Sequence, residues 1–175
     1  MITVSRKTKS ITDIDFKSLG ISGCIIEAGC LYTDTGLKQK TFRNPYVYDI
    51  VKYCIKNNIP YGYYVPCGAI DEKQAKEEMY WLSYIVRKYP TQLGVWLELT
   101  RDNSKIITDS LINTYQTELI KLGLAGQIGL YLDKTRLKKI SWSKFCDDWL
   151  LWYIDHTGDL ADLTKATNKS FFKVR

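Results

Sequence analysis

Gly94-Val95-Trp96-Leu97-Glu98-Leu99-Thr100 is a short apolar run with one carboxylate near its end. Its length and near-continuous apolar character are those of a strand covered on both faces. Side chains two apart on a strand point the same way, so Trp96, Glu98 and Thr100 share a face. Beside a tryptophan, Glu98 is partly shielded from water, as a proton donor would be. The plainer reading makes Glu98 structural, paired with a lysine or hydrogen-bonded across the mouth of a barrel.

Similar runs recur along the chain: Ile2 to Ser5, Gly23 to Ala28, Tyr61 to Pro66, Gln127 to Leu132 and Trp149 to Ile154. Helical patterns lie between them. Asn44 to Asn57 puts Val47, Ile50, Val51, Cys54 and Ile55 on one face. Asp71 to Tyr89 does so with Ala75, Met79, Leu82 and Val86, and Asp109 to Leu122 with Ile112, Tyr115 and Leu119. Asp71 and Asp109 are the expected N-caps and Gly123 the expected stop. Thr135 to Asp148 is a weaker helical pattern.

Strand and helix in alternation mean parallel strands joined by right-handed crossovers. An open doubly wound sheet and a closed barrel both fit. A full eightfold barrel takes about 250 residues. This chain of 175 residues would close only as a short, irregular (β/α) TIM-like barrel in a single domain.

In either architecture ligands sit at the C-terminal ends of the strands. That selects Glu27, Pro66 with Cys67, Glu98 with Thr100, Asp133, and Asp155 with His156. Cleaving a glycosidic bond needs two carboxyl groups about 5 to 9.5 Å apart. Glu98 alone is insufficient, and Glu27, Asp133 and Asp155 are its candidate partners. The chain has 13 tyrosines and 5 tryptophans. Tyr63, Tyr64, Trp96 and Trp152 are candidates for stacking on sugar rings, with ordinary packing as the alternative.

Composition narrows the classes. Hydrophobic residues make up 45% and charged residues 25%, ordinary values for a globular domain. The net charge is +6, and the basic residues are spread out instead of forming blocks. Such a surface is simply solvated or attracts a polyanion such as a bacterial cell wall. No nucleic-acid motif and no membrane-length apolar stretch is found. Met1 to Ser10 lacks the apolar core of a signal peptide, so the expectation is a product made in the cytoplasm. The five cysteines show no close metal-binding spacing, and His156 is the single histidine. Buried free thiols, no metal and no cofactor are expected. Gly123-x-x-Gly126-x-x-Gly129 precedes a strand instead of following one, so it is no dinucleotide loop.

The ordered set of segments resembles the glycoside hydrolase family 25 muramidases, a family of short β/α barrels. Thr3-Val4-Ser5 stands where the family has Asp-Val-Ser, and Gly20 to Ala28 resembles its second strand. Asp34, Phe42 and Asn44 resemble its next region, and Asn58 to Tyr64, with Gly62-Tyr63-Tyr64, resembles its Gly-x-Tyr strand. Gln74-Ala75 resembles its "QA" helix and Trp149 to Tyr153 its late tryptophan strand. Gly94 to Thr100 lies over the strand that ends Asp-x-Glu in the family, so Glu98 takes the aspartate's place and Thr100 that of the catalytic glutamate. The family's late aspartate has no secure counterpart; Asp159 and Asp162 are only nearby.

The resemblance implies a barrel over residues 1–155, with 156–175 a tail that docks on the body or supplies a last strand. It further implies a lysozyme-like domain without its usual catalytic carboxylates. The expected role is to bind cell-wall glycan, or to serve as a tail or baseplate component beside other virion proteins. The alternative is an active muramidase using Glu98 and a non-standard second carboxylate. An unrelated small α/β protein is the third reading.

Overall fold

The computed structural model describes residues 1–33, 36–40, 42–99, 108–133, 150–154 and 171–173, with the backbone alone for 132–133, 150–154 and 171–173. Seven strands form one sheet: β1 (Ile2–Val4), β2 (Cys24–Glu27), β3 (Tyr61–Pro66), β4 (Val95–Glu98), β5 (Ile128–Asp133), β6 (Leu150–Ile154) and β7 (Phe171–Lys173). Helices α1 (Val47–Lys56), α2 (Glu72–Lys88) and α3 (Asp109–Lys121) follow β2, β3 and β4 in turn.

Every pairing is parallel, and the strands neighbour one another in chain order. A doubly wound sheet reverses direction at a switch point. None occurs here, so the sheet winds in one sense, as a β/α barrel does. The irregularity lies in the connections. Residues 5–23 join β1 to β2 without a helix, and bury Ile11 and Phe16 against the body instead. The weaker helical pattern from Thr135 to Asp148 lies outside the described residues. Phe171–Lys173 of the tail pairs with β6 in the same sheet.

The two faces of each strand separate cleanly. Cys24, Ile26, Tyr61, Tyr63, Val65, Val95, Leu97, Ile128 and Leu130 belong to the main core with the helices' apolar residues. Ile25, Tyr64 and Trp96 form a second cluster on the opposite, interior face, with Leu93 and Tyr131 against it. Fully buried Leu82 and Met79 on α2 and Tyr115 on α3 fill the main core. Truncating one such leucine to alanine costs about 2 to 5 kcal/mol.

Local chemistry sets the helix ends. The Asp71 side chain accepts from the backbone N–H of Gln74 at 2.8 Å, the expected cap of α2. At α3 the expectation is corrected: Thr108 is the N-cap, its hydroxyl accepting from Leu111 N–H at 3.2 Å, and Asp109 is the first helical residue. Both residue types cap well, and Asp109 serves the first turn through its charge. Helix α1 begins at Val47 instead of Asn44. The buried Asn44 side chain turns the chain into the helix, accepting from Tyr46 N–H and donating to the Glu27 carbonyl.

Among the described residues Cys24, Cys30, Cys54 and Cys67 are buried free thiols; Cys146 lies outside them.

Candidate functional site at the C-terminal ends of the strands

The register builds two rows on the barrel's interior face. Glu27 pairs with Tyr64, Tyr64 with Trp96, and Trp96 with Gly129. Two residues further along, Pro66 pairs with Glu98, Glu98 with Tyr131, and Tyr131 with Trp152. The two glutamates therefore stand two strands apart and two residues out of level. On a flat sheet their backbones would be about 12 Å apart, from spacings of about 4.8 Å between strands and 3.3 Å along them.

Glu27 is 4% exposed, and both of its carboxylate oxygens are engaged. Oε1 accepts from Arg6 Nε at 2.5 Å, and Oε2 accepts from Arg6 N–H at 2.8 Å and Tyr64 OH at 3.0 Å. A carboxylate has about four acceptor positions, and here a guanidinium, a backbone N–H and a phenol occupy three of them. Burial pushes the Tyr64 hydroxyl above its ordinary range, and the neighbouring Glu27 charge adds to the effect. Tyr64 therefore stays a donor. The Arg6 Nη2 atom is buried without a hydrogen-bond partner.

Glu98 is half-buried at the end of β4. Its charge reaches both flanking phenols, helping to raise Tyr64 and, after burial, Tyr131. Its backbone carbonyl accepts from Cys67 N–H at 3.0 Å. The segment just after β3 is held from the other side as well. Gly68 N–H donates to Glu78 Oε1 at 3.2 Å, and Tyr115 OH donates to Glu78 Oε2 at 2.5 Å. Glu78 is 0% exposed, and burial pushes its carboxyl up to about 7, against hydrogen bonds from Tyr115 and the backbone of Gly68, Tyr32 and Ala69. A side chain at position 68 would meet the Tyr32 carbonyl oxygen at 2.1 Å, so only glycine lets the post-β3 segment lie against the post-β2 segment.

The other candidates distribute as follows. Tyr63 does not share a face with Tyr64, because adjacent strand residues point oppositely. It is buried in the helix-facing core with its hydroxyl on the Tyr89 carbonyl, out of reach of a ligand in the mouth. Trp96 faces the interior, but its ring lies over Gly129, and its indole N–H donates to Leu93 O at 2.9 Å. It lines a cavity of about 320 Å³ with Met1, Leu93 and Gln127 at the N-terminal ends of the strands, the end away from the glutamates. Asp133 closes β5, paired with Ile154, and its side chain lies outside the description. The same holds for the side chain of Trp152 and for all of Thr100, Asp155, His156, Asp159 and Asp162. Among the described residues no cluster of three metal-ligating side chains occurs.

Sequence reasoning passed over Arg6, Tyr131 and Glu78. Arg6 sits in a loop without periodicity. Tyr131 falls two residues past Gly129 on its strand, so its row follows from the face of Trp96 once the register is known. Glu78 stands three residues after Ala75 and four before Leu82, on the apolar face of its helix, which marks it as a buried carboxylate in need of donors.

With this geometry in place, comparison with solved structures defines the class: the chain has the fold of the glycoside hydrolase family 25 lysozymes. It is similar to GHIP, a glycosyl hydrolase 25 of Streptococcus pneumoniae, with a TM-score of 0.69 at 16% identity over 91% of this chain and 69% of that one. It is also similar to the modular autolysin LytC of S. pneumoniae, with a TM-score of 0.67 at 13% identity over 91% of this chain and 38% of that one. The CTP1L endolysin gives 0.66 at 16% identity over 85% of this chain and 50% of that one. No protein-family model matches the sequence, and no curated protein matches it.

Proposed function

We propose that this chain is a lysozyme-like domain that binds cell-wall peptidoglycan without hydrolysing it. The observation that carries the reading is the capture of Glu27 by Arg6 and Tyr64. That carboxylate is ion-paired and buried, so it is poorly placed to take or give a proton during catalysis. Two residues after Glu98 the sequence carries Thr100, and a threonine is no acid near neutral pH. Loss of general acid help lowers rates by about 10² to 10⁴. Support for the ligand comes from the fold, since LytC, a structural neighbour, is known in complex with a synthetic peptidoglycan ligand.

The test pairs two measurements on purified peptidoglycan: co-sedimentation of the protein, and release of reducing sugars. Sedimentation without sugar release is the expected result. Sugar release that is abolished by Glu98→Gln would overturn the non-catalytic part and establish a muramidase with a second carboxylate. Absence of both would overturn glycan binding.

The place of action belongs to the same proposal: a phage particle, as a tail or baseplate component. Its support is the likeness to an endolysin. Peptides of this chain should appear in the proteome of purified particles, and their absence would remove this part.

A further inference from the structure

Glu78 takes no part in the mouth's row of interior residues, yet it is bonded to the segment that frames it. The connection is continuous. Tyr115 on α3 donates to one carboxylate oxygen of Glu78, and the other accepts from Gly68 N–H. The adjoining Cys67 N–H donates to the Glu98 carbonyl. Across the way, Gly68 packs on the Tyr32 carbonyl, which also accepts from the Cys30 thiol at 2.7 Å. One side chain thus joins α2, α3 and the segments after β2 and β3.

We propose that Glu78 is the positioning residue of the mouth, holding residues 67–69 and, through them, the end of β4 that carries Glu98. The inference rests on the reading of the mouth as the glycan site, although its structural part stands independently. Among the described residues Glu78 has no ion pair. The titratable groups facing it are Tyr115 from α3, Cys67 from the end of β3 and Tyr32 from the segment after β2. Each of these is itself raised by burial before any other cause. They stay neutral through the pH range in which Glu78 titrates, so a transition near neutrality belongs to Glu78. As an anion Glu78 accepts charge-assisted bonds from the backbone; as an acid it accepts weaker ones.

The experiment follows backbone amide resonances of Cys67, Gly68 and Glu98 from pH 5 to 9, together with affinity for purified peptidoglycan. In the wild type the three resonances should shift together with a midpoint of about 7. Affinity should rise by up to about tenfold across the same midpoint. Glu78→Gln keeps one acceptor for Gly68 and should fold, but both transitions should vanish. Tyr115→Phe removes a bond that favours the anion and should move the midpoint upward. Resonances that do not titrate, or that titrate unchanged in Glu78→Gln, would overturn the proposal. So would a titrating Gly68 alongside pH-independent binding. Coupled titration with no peptidoglycan binding at any pH would leave the positioning role standing and sink the glycan reading.

Discussion

Arg6 and Glu27 close on each other through two bonds of different kinds. The guanidinium Nε lies 2.5 Å from Oε1, and the backbone N–H of the same arginine lies 2.8 Å from Oε2. Glu27 is thereby fastened to the loop after β1 by main chain and side chain together. Replacing the side chain removes only one of these ties.

Arg6→Met should cost about 1 to 2 kcal/mol in urea denaturation. Stranding a charge in a fully buried pair costs about 3 to 5 kcal/mol. Here the arginine side chain is 35% exposed, and its unpartnered Nη2 already offsets part of the gain. The Arg6→Met, Glu27→Leu double variant should recover most of the loss. A change below about 0.5 kcal/mol in the single variant would mean that the pair contributes nothing measurable.

Stability should depend on pH through Glu78. Its carboxyl stands at about 7 in the fold against an ordinary 4.5. Between these values the folded state holds a proton that the unfolded chain has lost, so stability falls as pH rises through this window. The contribution reaches at most about 3 kcal/mol at pH 8. Melting temperatures of wild type and Glu78→Gln, compared from pH 4 to 8, should therefore converge toward low pH and separate toward high pH, the wild type falling. Parallel curves would contradict the burial cost assigned to this group.

Gly129 exists to admit Trp96. A Cβ at position 129 would meet the indole ring at 2.2 Å, so Gly129→Ala should destabilise by about 2 kcal/mol, within the range for overpacking. Trp96→Leu in the same chain should relieve part of that cost. Additive losses in the double variant would show that the two do not touch.

The cap of α3 can be assigned by paired substitution. Thr108→Ala should cost about 1 kcal/mol, as N-cap losses do, and Asp109→Ala only a few tenths, the share of a first-turn charge. The reverse order in thermal denaturation would return the cap to Asp109.

The alternation of apolar runs and helical faces was enough to place strands β2 to β6 and helices α1, α2 and α3 to within a few residues, because burial on both faces leaves a direct mark on composition. Asp71 was legible as a cap because no rival stood beside it; at α3 Thr108 and Asp109 are both competent, and only geometry separates them. Tyr63 and Tyr64 illustrate a second limit. Both are aromatic, and a tyrosine looks the same in sequence whether its ring enters the core or the mouth. Their opposite directions follow from strand parity once a single neighbour such as Trp96 is known to point inward. The Arg6–Glu27 pair was not legible, since a loop arginine carries no periodic signal, and its bond spans 21 residues. Glu78 was legible in principle, as a charge on an apolar helix face, but its donors come from three other segments.

The in-order parallel sheet has a consequence for how the chain is made. Each strand from β2 onward rests on the strand emerging immediately before it. Among the described strands, none from β2 onward waits for a later one to supply its first hydrogen-bonded neighbour. During synthesis the N-terminal units can fold first and offer a finished edge to each strand as it leaves the ribosome, and the exposed edge at any moment is a single strand wide.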